Sequence, residues 1–179
     1  MRELEWPTPL WRPDLRLAVN QEIEITSPQG LSQLQVTGDL DEATKALSST
    51  ATLLRPLGLC EPIGDGPYAA SIGRNSCLFV SKRRPDCKEG WDNRGFAVSF
   101  AQCAYTILDV TGAEAETVLR KSSNAAFSAG SKSAAIKFAG QAVLLLRLEG
   151  GFRLHVPSPS REYLIEWLLG TCPGGIVRT

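Results

Sequence analysis

The sequence predicts an α+β fold of mixed, mostly antiparallel sheets covered by helices, with two similar strand–turn–helix units. Three observations carry the prediction. Leu34-Gln35-Val36-Thr37-Gly38 is echoed at Leu108-Asp109-Val110-Thr111-Gly112, and an amphipathic stretch of helical period follows each copy. Strand-like segments alternate with single short helices, without the long strand–helix–strand spacing of a parallel sheet. Hydrophobic residues make up 43% and charged residues 21% of 179, and a globular chain of this size buries roughly 70% of its extended surface. One domain therefore suffices: residues 32–179, in halves of about 32–94 and 95–170, behind an extended arm at 1–31.

The arm holds Trp6 and Trp11 among Pro7, Pro9, Pro13 and Pro28. Proline fixes φ and biases the residue before it away from helix, so the segment is expected to be extended. Alternation over Gln21–Thr26 predicts a short edge strand there. The two tryptophans are candidate partner contacts, because aromatic residues are enriched at interface cores.

In the first half, Leu34–Gly38 reads as a strand. Asp39 and Glu42 have capping-box spacing ahead of a helix with Leu40, Ala43 and Leu47 on one face. Four glycines and two prolines over 57–75 predict loop. Ser76–Ser81 predicts a strand between Arg74-Asn75 and Lys82-Arg83-Arg84-Pro85.

The second half is more strongly patterned. Phe96, Val98 and Phe100 alternate with small residues, and Tyr105–Val110 reads as the next strand. Thr111 and Glu114 again have capping-box spacing, before a helix striped by Ala115, Val118 and Leu119. Strands are expected at 135–138, 141–148 and 152–156, with turns at Ala139-Gly140 and Gly150-Gly151. Ser158 and Pro159 then predict a helix start, with Tyr163, Leu164, Trp167 and Leu168 facing the core.

Charge and cysteine content exclude several function classes. Lys+Arg and Asp+Glu both total 19, so no global field favours nucleic acid or an anionic membrane. Five cysteines (Cys60, Cys77, Cys87, Cys103 and Cys172), without a C-x-x-C and with one histidine, fit neither a disulfide framework nor a zinc site. They read as reduced thiols of a cytoplasmic protein, with Cys77 and Cys103 in the core. The acidic, proline-broken N-terminus has no signal-peptide character, and the apolar run Ala142–Leu146 is far short of a membrane span.

No set of residues reads as catalytic, cofactor-binding or metal-ligating. His155 shares the polar face of its strand with Arg153, opposite Phe152, Leu154 and Val156. That placement predicts a surface or interface histidine rather than a base. Gly130-Ser131-Lys132-Ser133 lacks the glycine spacing of a phosphate loop, and Gly64-x-Gly66 lacks the third glycine of a dinucleotide fingerprint. The basic cluster Lys82-Arg83-Arg84 with Lys88, beside Trp91, is largely neutralised by Asp86, Glu89 and Asp92. It reads as a solvated loop rather than a nucleic-acid surface.

Two stretches carry a resemblance to a known family. Tyr105-Thr106-Ile107-Leu108-Asp109-Val110-Thr111-Gly112, followed by Ala115 and Val118-Leu119, resembles its strand–turn–helix. Phe152-Arg153-Leu154-His155-Val156-Pro157-Ser158, followed by Tyr163-Leu164 and Glu166-Trp167-Leu168, resembles its closing strand and helix. The family is the gamma (small) subunit of heterotetrameric sarcosine oxidase and related amine dehydrogenase complexes. It is similar in turn to the tetrahydrofolate-binding domain of aminomethyltransferases, whose fold has a ferredoxin-like half. The likeness covers roughly 76–170 and, more loosely, 31–75.

The resemblance implies a non-catalytic subunit contributing to assembly and stability. The complex would oxidise N-methylated or secondary amino acids, with FAD, FMN, NAD and tetrahydrofolate held by larger partner subunits. The alternative it leaves open is a small folate-binding or one-carbon-transfer protein of the same fold. In that case an acidic group must hold the pterin amino groups, and Asp109 and Asp92 are the candidates. A generic interaction domain is the third reading.

Overall fold

The computed structural model describes residues 15–19, 22–47, 55–123, 127, 131–172 and 177–178. Trp6 and Trp11, the expected partner contacts, lie outside the described residues, as do all of residues 1–14. The chain opens with β1 (Leu15–Val19), β2 (Glu24–Ser27) and β3 (Ser32–Gly38), then helix α1 (Leu40–Leu47). Next come β4 (Pro56–Leu57), β5 (Tyr68–Gly73), β6 (Ser76–Ser81), β7 (Gly90–Asp92), β8 (Phe96–Phe100) and β9 (Tyr105–Thr111). Helix α2 (Ala115–Arg120) leads to β10 (Ala135–Phe138), β11 (Gln141–Leu148) and β12 (Gly151–Pro157). A 3-10 turn at Ser158–Ser160 runs into α3 (Arg161–Thr171), and β13 (Val177–Arg178) ends the described chain.

These strands form two sheets. One runs β10-β11-β12-β9-β2-β1-β13 and the other β4-β5-β6-β3-β8-β7. Every pairing between named strands is antiparallel except β4 with β5. Strand periodicity splits each sheet into two faces. Helices α2 and α3 cover one face of the seven-stranded sheet, packing Val118, Leu119, Leu164 and Leu168 on Leu108, Leu145 and Leu154. Its other face meets the six-stranded sheet through Ile107, Leu144, Leu146, Leu78 and Val80. Helix α1 closes the far side with Ala43 and Leu47 over Val36, Phe79 and Val98. The result is an α/β/β/α stack, the expected α+β class.

The two echoed pentapeptides end the same way. Gly38 and Gly112 have φ of +114° and +115°, in the region that favours glycine. A Cβ on Gly38 would sit 2.4 Å from the Gly95 carbonyl oxygen, and one on Gly112 would sit 2.2 Å from that of Glu22. Each glycine thus lets its strand turn into a helix against the start of a neighbouring strand, β8 in one case and β2 in the other. Those neighbours are exchanged in sequence. β2 precedes β3 but pairs with β9, while β8 precedes β9 but pairs with β3. Each sheet therefore draws strands from both sides of 94/95, and β1 and β2 pair within the seven-stranded sheet.

Several local expectations need correction. The segment 21–26 was expected at an edge, yet β2 is paired on both sides, with β1 and β9. The expected loop over 57–75 contains β5, whose Ala69 and Ala70 are fully buried against β6. Asp39 caps α1 as expected, its Oδ1 accepting the Asp41 and Glu42 N–H groups at 3.1 Å each. The reciprocal half of the box is absent: the Asp39 N–H goes to the Gly95 carbonyl at 2.9 Å, while Glu42 pairs with Lys45 at 2.6 Å. Thr111 is part of β9, and α2 has no side-chain cap. At α3, Leu164, Ile165 and Leu168 are buried. Tyr163 instead faces outward, donating its hydroxyl to the Ala139 carbonyl at 3.0 Å. Cys77 is buried, whereas Cys103 is exposed in a turn.

Candidate functional site

Between the two sheets lies a polar seam within an otherwise apolar layer. β12 places Arg153 and His155 on the inter-sheet face, because Phe152, Leu154 and Val156 take the helix-covered face. β9 supplies Asp109 beside Arg153, its registered partner. From the opposite sheet, β3 sends in Gln33 and β5 sends in Tyr68.

The side chains form one directed chain of hydrogen bonds. Arg153 grips Asp109 with two bonds, Nε to Oδ1 at 2.7 Å and Nη2 to Oδ2 at 2.6 Å. Its Nη1 reaches the Tyr68 hydroxyl at 3.4 Å, and that hydroxyl lies 2.9 Å from His155 Nε2. His155 Nδ1 is 3.2 Å from Gln33 Oε1, and Gln33 Nε2 donates to the Tyr105 carbonyl at 2.9 Å. A guanidinium only donates, and a carbonyl only accepts. The roles along the chain are thereby assigned: Tyr68 donates to Nε2, and Nδ1–H donates to Gln33.

Charge and burial hold this assignment. His155 is fully buried, and burial, aided by the Arg153 charge, pushes its pKa down to about 3. The imidazole is neutral at physiological pH. Burial also raises the Tyr68 phenol to about 12, against the opposing pull of Arg153. Burial lowers the Arg153 pKa, but bonding to Asp109 and the Tyr68 contact outweigh it, so the guanidinium stays charged. Both imidazole nitrogens are occupied by partners, so His155 has no free position at which to accept a substrate proton.

A cavity of about 400 Å³ opens beside the seam. Arg153 reaches it from within, and Gly30, Gly64, Asp65, Gly66 and Lys82 line its rim. Gly64-x-Gly66, considered above as a nucleotide fingerprint, is thus a rim loop and opens no helix. Among the described residues, no group of three or more His, Cys, Asp or Glu is placed to hold a metal. No described helix is long and apolar enough to cross a membrane.

The structure redistributes the residues singled out in the sequence. His155, expected at a surface or interface, lies at the centre of the inter-sheet layer. Asp109 and Asp92 do not meet: Asp109 is consumed by Arg153, and Asp92 pairs with Arg94 on the surface at 2.8 Å. Neither carboxylate is free for a pterin. Tyr68 and Gln33 were missed. Tyr68 sat inside a segment read as loop, and Gln33 is one glutamine of an alternating strand, without any signal of its partner.

No protein-family model matches the chain, and no curated protein does either. A solved structure does match: a chain of the heterotetrameric sarcosine oxidase from Corynebacterium sp. U-96, determined in complex with pyrrole 2-carboxylate. The match has a TM-score of 0.66 at 21% identity, over 87% of this chain and 86% of that one. The two chains share a fold. At this identity the likeness concerns architecture, and the residues of the seam have to speak for themselves.

Proposed function

We propose that this chain is the gamma-type, non-catalytic subunit of a heteromeric flavin-dependent complex, resembling sarcosine oxidase, that oxidises N-methylated or secondary amino acids. The observation that carries the reading is the fold match, near-complete on both chains, to a component of a heterotetrameric sarcosine oxidase. The seam supports a silent role, because its acid, base and phenol are all engaged with one another. On this reading FAD, FMN, NAD and tetrahydrofolate belong to larger partner subunits in the cytoplasm. This subunit contributes assembly and stability, with Trp6 and Trp11 among its partner contacts. The two strand–glycine–helix junctions, with strands exchanged between sheets, are consistent with a pair of related, ferredoxin-like units.

The test is purification of a tagged chain from its native host. A yellow complex with a flavin spectrum, turning over sarcosine or a related amine, is the expected result. Recovery of the chain without any flavoprotein would overturn the subunit reading. Flavin or zinc retained stoichiometrically by the single chain would overturn its non-catalytic part.

A further inference from the structure

The polar seam leaves part of Arg153 unused, beside a cavity. A guanidinium carries five N–H bonds. Asp109 takes two of them and the Tyr68 hydroxyl a third. The other two have no acceptor among the described residues, although the side chain is only 14% exposed. Buried donors are ordinarily satisfied by protein, water or a ligand, because leaving them bare costs stability. Arg153 lines the cavity of about 400 Å³, a volume within the range of small-molecule sites.

The remainder of the lining narrows what such a ligand can be. Pro28, Leu31 and Val80 give the cavity an apolar wall. Asp65 and Lys82 stand at the mouth, both exposed. Neither makes an ion pair or a side-chain hydrogen bond among the described residues, with the other or elsewhere. Counted with Asp109, the site is electrically balanced, Arg153 and Lys82 against Asp109 and Asp65. A balanced site exerts little pull on a simple anion or cation. It suits a ligand that is neutral overall and charged at each end. The inner end offers donors, and the mouth holds an unpaired carboxylate. Lys82, on its flexible stem, can turn to water.

We propose that this cavity binds an ω-amino carboxylate, a short aliphatic chain with a carboxylate at one end and an ammonium at the other. The carboxylate accepts from the spare Arg153 N–H groups, the chain lies along Pro28, Leu31 and Val80, and the ammonium meets Asp65. The guanidinium then holds one carboxylate of the protein and one of the ligand. The inference rests on the cavity and stands apart from the subunit reading.

The experiment is calorimetric titration of the full chain with 5-aminopentanoate, and with pentanoate and pentylamine, which each lack one charged end. The zwitterion should bind with a Kd at or below about 1 mM, and each of the other two at least about tenfold more weakly. Asp65→Asn, an exposed change that leaves the fold intact, should weaken 5-aminopentanoate about tenfold and leave pentanoate unaffected. Asp109→Leu/Arg153→Met removes the guanidinium without stranding a charge, and should abolish binding of both carboxylates. No heat from 5-aminopentanoate at about 10 mM would mean that water alone fills the cavity, and would overturn the site. Equal affinity for pentanoate, or wild-type affinity in Asp65→Asn, would mean a plain carboxylate site and overturn the zwitterion. Binding that survives in the double variant would place the ligand elsewhere and overturn the assignment to this cavity.

Discussion

The seven-stranded sheet has two buried faces, and β12 shows how differently they are built. Phe152, Leu154 and Val156 point to α2 and α3 into a layer made of apolar side chains. One residue out of phase, Arg153 and His155 point to the other sheet and join Asp109, Tyr68 and Gln33. The helix-side layer depends on volume and tolerates any filling of similar size. The inter-sheet layer depends on direction, because each donor requires its own acceptor. A shift of register by one residue would bury the aliphatic row in place of the seam and leave every polar partner unpaired. We infer that the seam specifies how the two sheets meet, whereas the helix-side core supplies bulk stability.

That contrast can be broken from either side. On the helix side, Leu154→Ala deletes a fully buried side chain and should cost roughly 2–5 kcal/mol. Its cost, measured by denaturant unfolding, should be the same at pH 4.5 and pH 7.5. A strong pH dependence would mean that the two layers are coupled and the contrast is false.

On the seam side, Asp109→Ala leaves the Arg153 guanidinium largely buried without its carboxylate. The expected loss is about 3 kcal/mol. The double variant Asp109→Leu/Arg153→Met should regain most of it, since no uncompensated charge remains. A single substitution costing under about 1 kcal/mol would show that water already screens the pair. Tyr68→Phe should cost less, about 1–2 kcal/mol, by removing the donor to His155 Nε2 and the acceptor for Arg153. Loss within experimental error would remove Tyr68 from the chain of donors.

The helix-side layer was legible in the sequence, and the seam was not. Ser76–Ser81 and the hairpins over 135–157 lie where the alternation predicts, because packing favours the same residues that the pattern marks. β5 was hidden because Ala69, Ala70 and Ser71 have little strand preference and stand between glycine-rich stretches. His155 was misplaced for a subtler reason. Alternation shows which residues share a face, but not whether the polar face is wet, and a second sheet covers this one. The junction glycines were visible as an echo, yet their cause is a close approach of backbone from distant β2 and β8. No local pattern contains that information.

The sharpest discriminator separates the layers by their response to protons. The folded-state pKa of His155 is lowered to about 3, below the roughly 6.5 of an unfolded histidine. Above pH 6.5 both states are neutral at this site, and the stability of the seam is fully present. As pH falls from 6.5 towards 3, the unfolded chain takes up a proton that the folded chain refuses. Stability is then lost at up to about 1.4 kcal/mol per pH unit. His155→Gln keeps a donor and an acceptor but has no proton to take up, so it should flatten the pH dependence by that slope. It should also leave turnover of an assembled complex within about threefold, against the roughly 10²–10⁴-fold loss expected for a general acid or base. The check is urea unfolding of both proteins at several pH values between 4 and 7. Parallel profiles would mean that His155 protonates in the folded state, and the seam would have to open to water to allow it.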